Sequence, residues 1–263
     1  LRGGLILIKP EEWKKVENKL AGVVPKERFV KLNFQRPSKE IIKGFLSIED
    51  PTPSISDILD DLGLARAVPA SILKPVCPGK VVAGPAVTIR YITESNVPKE
   101  ALQTSKKAKL GDKDAYAIAE AGDIVVFDNG GRSKISTMGG LSTMYAINAG
   151  IAACIVDGGV RDTGLMRRLG FGVWSRGVTP ITGRHRVETI EINGPVVCGG
   201  VCVEPGDLVV ADDNGVCFIP YSQVDVVYQR LMKDARREEA LVNAIAQGKS
   251  YESLRGILPP EEW

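Results

Sequence analysis

The amino-acid sequence predicts an α/β protein, and three observations carry that prediction. The run Ile151 to Val156 is made of small and β-branched residues and stops abruptly at Asp157-Gly158-Gly159, which reads as a strand covered on both faces. Capped, amphipathic segments alternate with β-rich runs over the first two thirds of the chain. After residue 186, four short β segments follow one another with tight-turn sequences between them. In such folds chemistry collects where central strands end, which puts Arg161 and Asp162 at the mouth of a pocket. Arg161 is a permanently charged fork that grips a carboxylate or an enolate, and Asp162 is a hard oxygen ligand for a divalent cation. A plainer reading stands beside this one: the glycines make a turn, Asp162 caps a helix from Thr163, and Arg161 is a solvated charge.

Residues 1–35 read as an N-terminal extension, with a strand candidate from Leu5 to Ile8 and a first helical turn at Pro10-Glu11-Glu12. Ser38 opens an amphipathic helix, and Ser54 to Gly63 reads as a second, capped at its start and stopped by Gly63. Val81 to Ile92 is β-rich, and its Gly84-Pro85 suggests a bulge or a strand entering from an edge. Thr93 to Leu110 is polar and lysine-rich, the texture of a surface loop with a short helix. A buried strand from Ile124 is expected to end at Asn129-Gly130-Gly131. The next segment leads into a helix ending near Gly150. Glycines at its start let a backbone approach a ligand, so Gly139, Gly140, Leu141 and Ser142 are a candidate cradle for a substrate carboxylate, with tight packing as the alternative.

Thr163 to Leu169 reads as a short helix and Gly172 to Trp174 as a strand. Then come β segments at Val187 to Ile192, Val196 to Val203, Asp207 to Ala211 and Val216 to Ile219. Asp212-Asp213 is either a metal pair or, next to Asn214-Gly215, a turn, and the turn reading is favoured. His185, between two arginines, is expected to be exposed. Ser222 to Gln247 has helical spacing with Ser222 as cap. Its charged middle, Lys233 to Glu239, is a solvated face or a reach toward a neighbouring subunit.

The totals exclude several classes. A chain of 263 residues that is 44% hydrophobic and 25% charged is globular, and 34 basic against 32 acidic residues leave a net charge of +2 with no broad basic face for nucleic acid. No apolar stretch approaches the roughly 20 residues needed to span a bilayer. Five cysteines without paired spacing read as small core residues in a reducing compartment, so a cytoplasmic protein is expected, without a disulfide framework or a zinc knuckle.

The order of motifs then resembles one family. Pro53 to Asp57, Gly84 to Thr88, Gly122 to Val126, Gly139-Gly140-Leu141, Asp157-Gly158-Gly159-Val160-Arg161-Asp162, Val203 to Asp207 and Ala211 to Val216 are similar to the family that contains the regulator of ribonuclease activity A and the class II 4-hydroxy-4-methyl-2-oxoglutarate aldolases. The resemblance covers residues 36–256 and implies an α/β fold of the swivelling β/β/α sandwich type, assembled as a homotrimer or a dimer of trimers with sites between subunits. For the aldolase branch it implies a magnesium or manganese ion on Asp162, Arg161 on the pyruvoyl end of a small 2-oxo acid, and amides of Gly139 to Ser142 on its carboxylate. It further implies an acid from the adjacent subunit's C-terminal helix, for which Glu238 or Glu239 is the match. The expected activity is a metal-dependent lyase releasing pyruvate, with oxaloacetate decarboxylation through the same enolate. The alternative is a non-catalytic regulator that binds a ribonuclease, but that branch lacks the acid matching Asp162. One departure stands out: many aldolases carry an acid where this chain has Gly140, which bears on the proton relay.

Overall fold

The computed structural model describes residues 8–94, 99, 103, 107–257 and 259. The strand candidate at residues 5–7 and most of the lysine-rich segment lie outside the described residues. Helices α1 (Pro10–Lys14), α2 (Lys39–Leu46) and α3 (Pro51–Asp61) precede strands β1 (Ala67–Pro69), β2 (Lys74–Pro75) and β3 (Val82–Thr93). Then follow α4 (Asp112–Ile118), β4 (Ile124–Met138), α5 (Gly140–Asn148), β5 (Ala153–Val160), α6 (Thr163–Leu169), β6 (Gly172–Val178) and β7 (Val187–Ile192). Strands β8 (Val196–Cys198), β9 (Val201–Val203), β10 (Leu208–Ala211) and β11 (Gly215–Ile219) lead to the long α7 (Val224–Ala246) and the short α8 (Tyr251–Arg255).

One sheet runs β1-β11-β10-β3-β4-β5-β6-β2, with β7 also on β3. The centre, β3 to β6, is parallel, and β10 and β7 share the other edge of β3 in antiparallel pairing, at Val82–Pro85 and Ile89–Thr93 respectively. The sheet folds over on itself: Ile124, Val126, Ile155 and Trp174 of the parallel half share a core with Val209, Val216 and Phe218 of the antiparallel half. Helices α2, α3 and α7 cover the outside of β10 and β11 through Phe45, Ile55, Leu59 and Leu231. Helices α4 to α6 and the N-terminal segment cover the other face of the parallel half, where Val24, Phe29 and Leu32 join Val87, Phe127 and Val156. Each such aliphatic or aromatic side chain stabilises the fold by about 1.5–3 kcal/mol on full burial. Residues 8–34 therefore share the main core, and Val30 N–H donates to Ile192 O at 2.9 Å.

Several sequence expectations are corrected by this architecture. Gly84-Pro85 lies inside a central strand, because pairing with β4 begins only at Ala86 and the missing proline donor faces that gap. Gly84 has no room for a side chain, since a Cβ would lie 2.2 Å from Gly122 O. Helix α3 starts at Pro51, a proline in the first turn, rather than at Ser54, although Gly63 ends it as expected with φ +71°. Strand β4 does not stop at Asn129. It continues with shifted register, meeting β5 again at Arg132↔Gly158, Ser136↔Gly159 and Met138↔Val160. The segment from Val196 to Val203 is a hairpin turning at Gly199-Gly200, both with positive φ. Helix α7 begins at Val224, after a short 3-10 turn that contains Ser222.

Candidate functional site

Strand β5 is buried along its whole length and delivers Arg161 and Asp162 where it ends. Arg161 N–H donates to Met138 O at 3.0 Å, extending the β4–β5 ladder by one residue. Asp162 then takes the left-handed conformation (φ 58°, ψ 32°), which aspartate tolerates better than most side chains. Its carbonyl opens α6 by accepting from Leu165 N–H at 2.9 Å, yet its side chain makes no capping bond to that helix. Instead Oδ2 accepts from Gly140 N–H, at the start of α5, at 2.8 Å.

Arg161 Nε stands 3.7 Å from Asp162 Oδ2, with the two side chains 43% and 51% exposed. An ion pair this open contributes at most about 1 kcal/mol, so both groups keep most of their capacity for a ligand. Their approach to α5 depends on glycine: a Cβ on Gly139 would lie 2.8 Å from Asp162 Oδ2 and 3.1 Å from Arg161 Nε. At Gly140 a Cβ would lie 2.7 Å from a Leu165 methyl, so a side chain there requires Leu165 to swing aside. Arg161 and Asp162 line one open pocket of about 370 Å³ with Val178, Thr179 and Pro180. A larger cavity of about 480 Å³ runs along α7 beside Tyr228, Met232, Lys233 and Arg236, but no carboxylate lines it. The chemistry favours the smaller one.

The other candidate residues are placed as follows. Gly139 and Gly140 sit against the pair, and Leu141 projects outward at 73% exposure. Ser142 turns its hydroxyl inward, donating to Asp112 Oδ2 at 2.6 Å, so only its amide is oriented like those of a cradle. Glu238 and Glu239 are exposed on α7 and do not line the pocket. Among the described residues no three His, Cys, Asp or Glu side chains cluster as metal ligands. Asp212 and Asp213 form a turn, accepting from Thr52 and Asn214 and from Gly79 respectively.

His185 is buried, contrary to expectation. It has φ +59° and accepts from Arg184 Nε at 3.2 Å, so the left-handed turn tips the ring inward while the arginines on either side stay nearer solvent. Sequence reasoning missed Val178, Thr179 and Pro180 as walls, although their place at and just beyond the end of β6, beside the end of β5, was the available signal. It also missed the support behind Ser142. There the Tyr116 hydroxyl lies 2.9 Å from Ser142 Oγ, and burial, with Cys154 and Asp112 nearby, pushes its pKa well up. Burial likewise raises the Cys154 thiol, so both groups stay protonated.

Comparison with known proteins bears on the family and the fold. A family model described as "RraA-like: Aldolase/RraA" matches residues 52–218. A Halalkalibacterium halodurans protein named "Putative 4-hydroxy-4-methyl-2-oxoglutarate aldolase" is 34% identical over 196 residues, 74% of this chain and 85% of that one. Protein DlpA of Legionella pneumophila is 32% identical over 76% of this chain, which spans only 31% of DlpA. Among solved structures, Streptomyces coelicolor RraAS2, described as an unusual member of the RNase ES inhibitor RraA protein family, superposes with a TM-score of 0.65 at 26% identity, over 79% of this chain and 98% of that one. An uncharacterized protein from Pseudomonas syringae shares the fold with a TM-score of 0.70 at 24% identity, over 84% of this chain and 100% of that one.

Proposed function

This chain belongs to the RraA-like family, Aldolase/RraA, and on that footing we propose that it is a divalent-metal-dependent lyase cleaving a 4-hydroxy-2-oxo acid, of the 4-hydroxy-4-methyl-2-oxoglutarate type, to pyruvate and a second carbonyl compound. Oxaloacetate decarboxylation follows from the same enolate chemistry. The observation that carries this reading is one pocket lined by a half-exposed guanidinium and a half-exposed carboxylate. Cleaving a carbon–carbon bond beside a ketone leaves its electron pair on the former carbonyl oxygen, and the site must stabilise that charge.

The donor set fits magnesium or manganese: Asp162 offers a hard carboxylate oxygen, and such ions take one or two carboxylates while keeping several waters. When bound there, the ion supplies Lewis-acid stabilisation of the enolate charge. Gly140 N–H fixes the Asp162 carboxylate from behind through Oδ2. Arg161 grips the pyruvoyl end with two parallel N–H donors and keeps its charge at any working pH. Since the Gly140 amide is engaged by Asp162, the amides of Leu141 and Ser142 are the ones left at the α5 N-terminus for the substrate carboxylate. Glu238 completes the site from the adjacent subunit of a homotrimer or dimer of trimers. Support for that assembly comes from Leu141, Met144, Tyr145 and Ile147, an exposed apolar set on α5 beside the pocket.

Residues 36–256 form the catalytic domain in this proposal. A cytoplasmic setting agrees with five unpaired cysteines and with the lack, among the described residues, of a helix long and apolar enough to cross a membrane. A second reading, a non-catalytic regulator that binds a ribonuclease, draws on the likeness to RraAS2. A screen of 2-oxo acids for pyruvate release decides between them. Turnover is expected to vanish in chelator, to return with magnesium or manganese, and to stay absent in Asp162→Ala at any metal concentration. Full turnover in excess chelator overturns the metal-dependent mechanism, and retention of a ribonuclease by a protein that releases no pyruvate overturns the lyase reading.

A further inference from the structure

Among the described residues the Asp162 carboxylate is held by a single backbone donor, Gly140 N–H, so it follows wherever the first turn of α5 goes. That turn is itself tied from behind. Ser142 Oγ donates to Asp112 Oδ2 at 2.6 Å, which leaves the Tyr116 hydroxyl, 2.9 Å away, to donate to Ser142 Oγ. All three side chains are buried, and the chain of donors runs one way, from Tyr116 to the carboxylate. A second tie joins the same two helices, with Lys113 Nζ 5.1 Å from the Tyr145 ring centre.

Asp112 is the first residue of α4, and α4 is anchored two residues later. Asp114, fully buried, accepts from Gly22 N–H at 3.0 Å on one oxygen and from Val23 and Val24 N–H at 2.9 and 2.8 Å on the other. Val24 also seats against the residue before Asp112: a Cβ on Gly111 would lie 2.2 Å from a Val24 methyl. The contacts therefore form one continuous path, from residues 22–24 through Asp114, α4, Asp112 and Ser142 to Gly140 N–H and Asp162.

We propose that Asp112, Ser142 and Asp114 are positioning residues for Asp162, and that residues 22–24 are part of the frame that holds this acid. The consequence for metal binding rests on the reading of Asp162 as the metal-holding residue, whereas the mechanical linkage does not. Residues that orient a ligand group from behind typically change metal affinity ten- to a hundredfold when removed.

The test uses the full chain and two readouts: amide hydrogen exchange at Gly140 without metal, and the Kd of Mn²⁺ from its electron paramagnetic resonance signal. Ser142→Ala and Asp112→Asn are expected to speed Gly140 exchange and to weaken Mn²⁺ binding, each by about tenfold. Ser142→Thr, which keeps the hydroxyl, is expected to stay within about twofold of the parent. Asp114→Asn and the milder Val24→Ala are expected to move both readouts in the same direction by about threefold, on the same basis of indirect support. If Asp112→Asn does not fold, Ser142→Ala, which removes one oxygen, carries the test. Exchange and affinity both within twofold of the parent in Ser142→Ala overturn the proposal, even if the melting temperature falls. If the parent binds no Mn²⁺, the lyase reading fails, and Gly140 exchange alone upholds or overturns the linkage.

Discussion

Asp162 and Asp212 invite comparison, because each is an acid within two residues of the end of an apolar strand and each looked able to hold a cation. At Asp212 the donors converge. Its carboxylate accepts from Thr52 N–H at 2.9 Å, Thr52 Oγ1 at 2.6 Å and Asn214 N–H at 2.8 Å, its carbonyl accepts from Trp174 Nε1 at 2.8 Å, and it is 1% exposed. At Asp162 the carboxylate accepts one hydrogen bond among the described residues and is half in solvent. Whether an acid serves the fold or a ligand is decided by how many protein donors saturate its oxygens. The neighbouring sequence does not decide it.

That contrast breaks most sharply at Asp162. Under the proposed lyase reading, the Asp162→Ala variant is expected to lose at least about a thousandfold in kcat/KM, roughly 4 kcal/mol of transition-state stabilisation, while its melting temperature moves by less than about 4 °C, the left-handed backbone at this position costing alanine about 1 kcal/mol. A steady-state assay beside a thermal melt reads both. A large drop in stability would return Asp162 to the role of a structural turn residue. The opposite pattern is expected at Asp212: Asp212→Ala leaves the buried Thr52 donors unpaired, costs about 3 kcal/mol and lowers the melting temperature by roughly 6–12 °C. Its turnover per folded molecule at 25 °C stays within about twofold of the parent. A selective loss of turnover without loss of stability would erase the distinction.

A smaller effect sharpens the same comparison by pH. Burial, with Asp212 and Asp60 nearby, pushes the Cys217 thiol up to about 12. A thiol pKa raised in the fold contributes stability that is fully present below its unfolded value, about 8.5, and is lost as pH rises toward 12. Alkylation at pH 8.5, followed by peptide mass spectrometry, is accordingly expected to modify exposed Cys202 and to spare Cys217 in the native protein. Asp212→Ala is expected to raise Cys217 labelling a few-fold.

The site's centre was legible because its signals are local. A β-branched run needs burial on both faces, and the residues at its end are presented to one edge, so Arg161 and Asp162 could be read directly from order and type. Helix stops were equally plain, since Gly63 and Gly150 take the left-handed conformation that ends helices. Signals that depend on distant partners were not legible. Asn129-Gly130-Gly131 has turn composition, but pairing with β5 carries the strand through it to Met138. Gly199-Gly200 was a local hairpin signal that the continuous β pattern around it masked, since β8 and β9 turn there. His185 looked solvated because its neighbours are arginines, yet its ring is buried and accepts from Arg184 Nε. The Asp112–Ser142 bond joins residues 30 apart in sequence and has no local signature.

Strand β3 carries a further consequence, for how the chain acquires its shape. One edge of it is completed by residues 124–128, and the other by residues 187–192 and 208–211. A strand whose partners lie so far downstream must wait for long loops to close, so this topology folds slowly. During synthesis β3 leaves the ribosome with both edges bare, and only the arrival of β10 fills its last open row of hydrogen-bonding groups. Until then the nascent chain presents the kind of edge that chaperones shield and that aggregates extend.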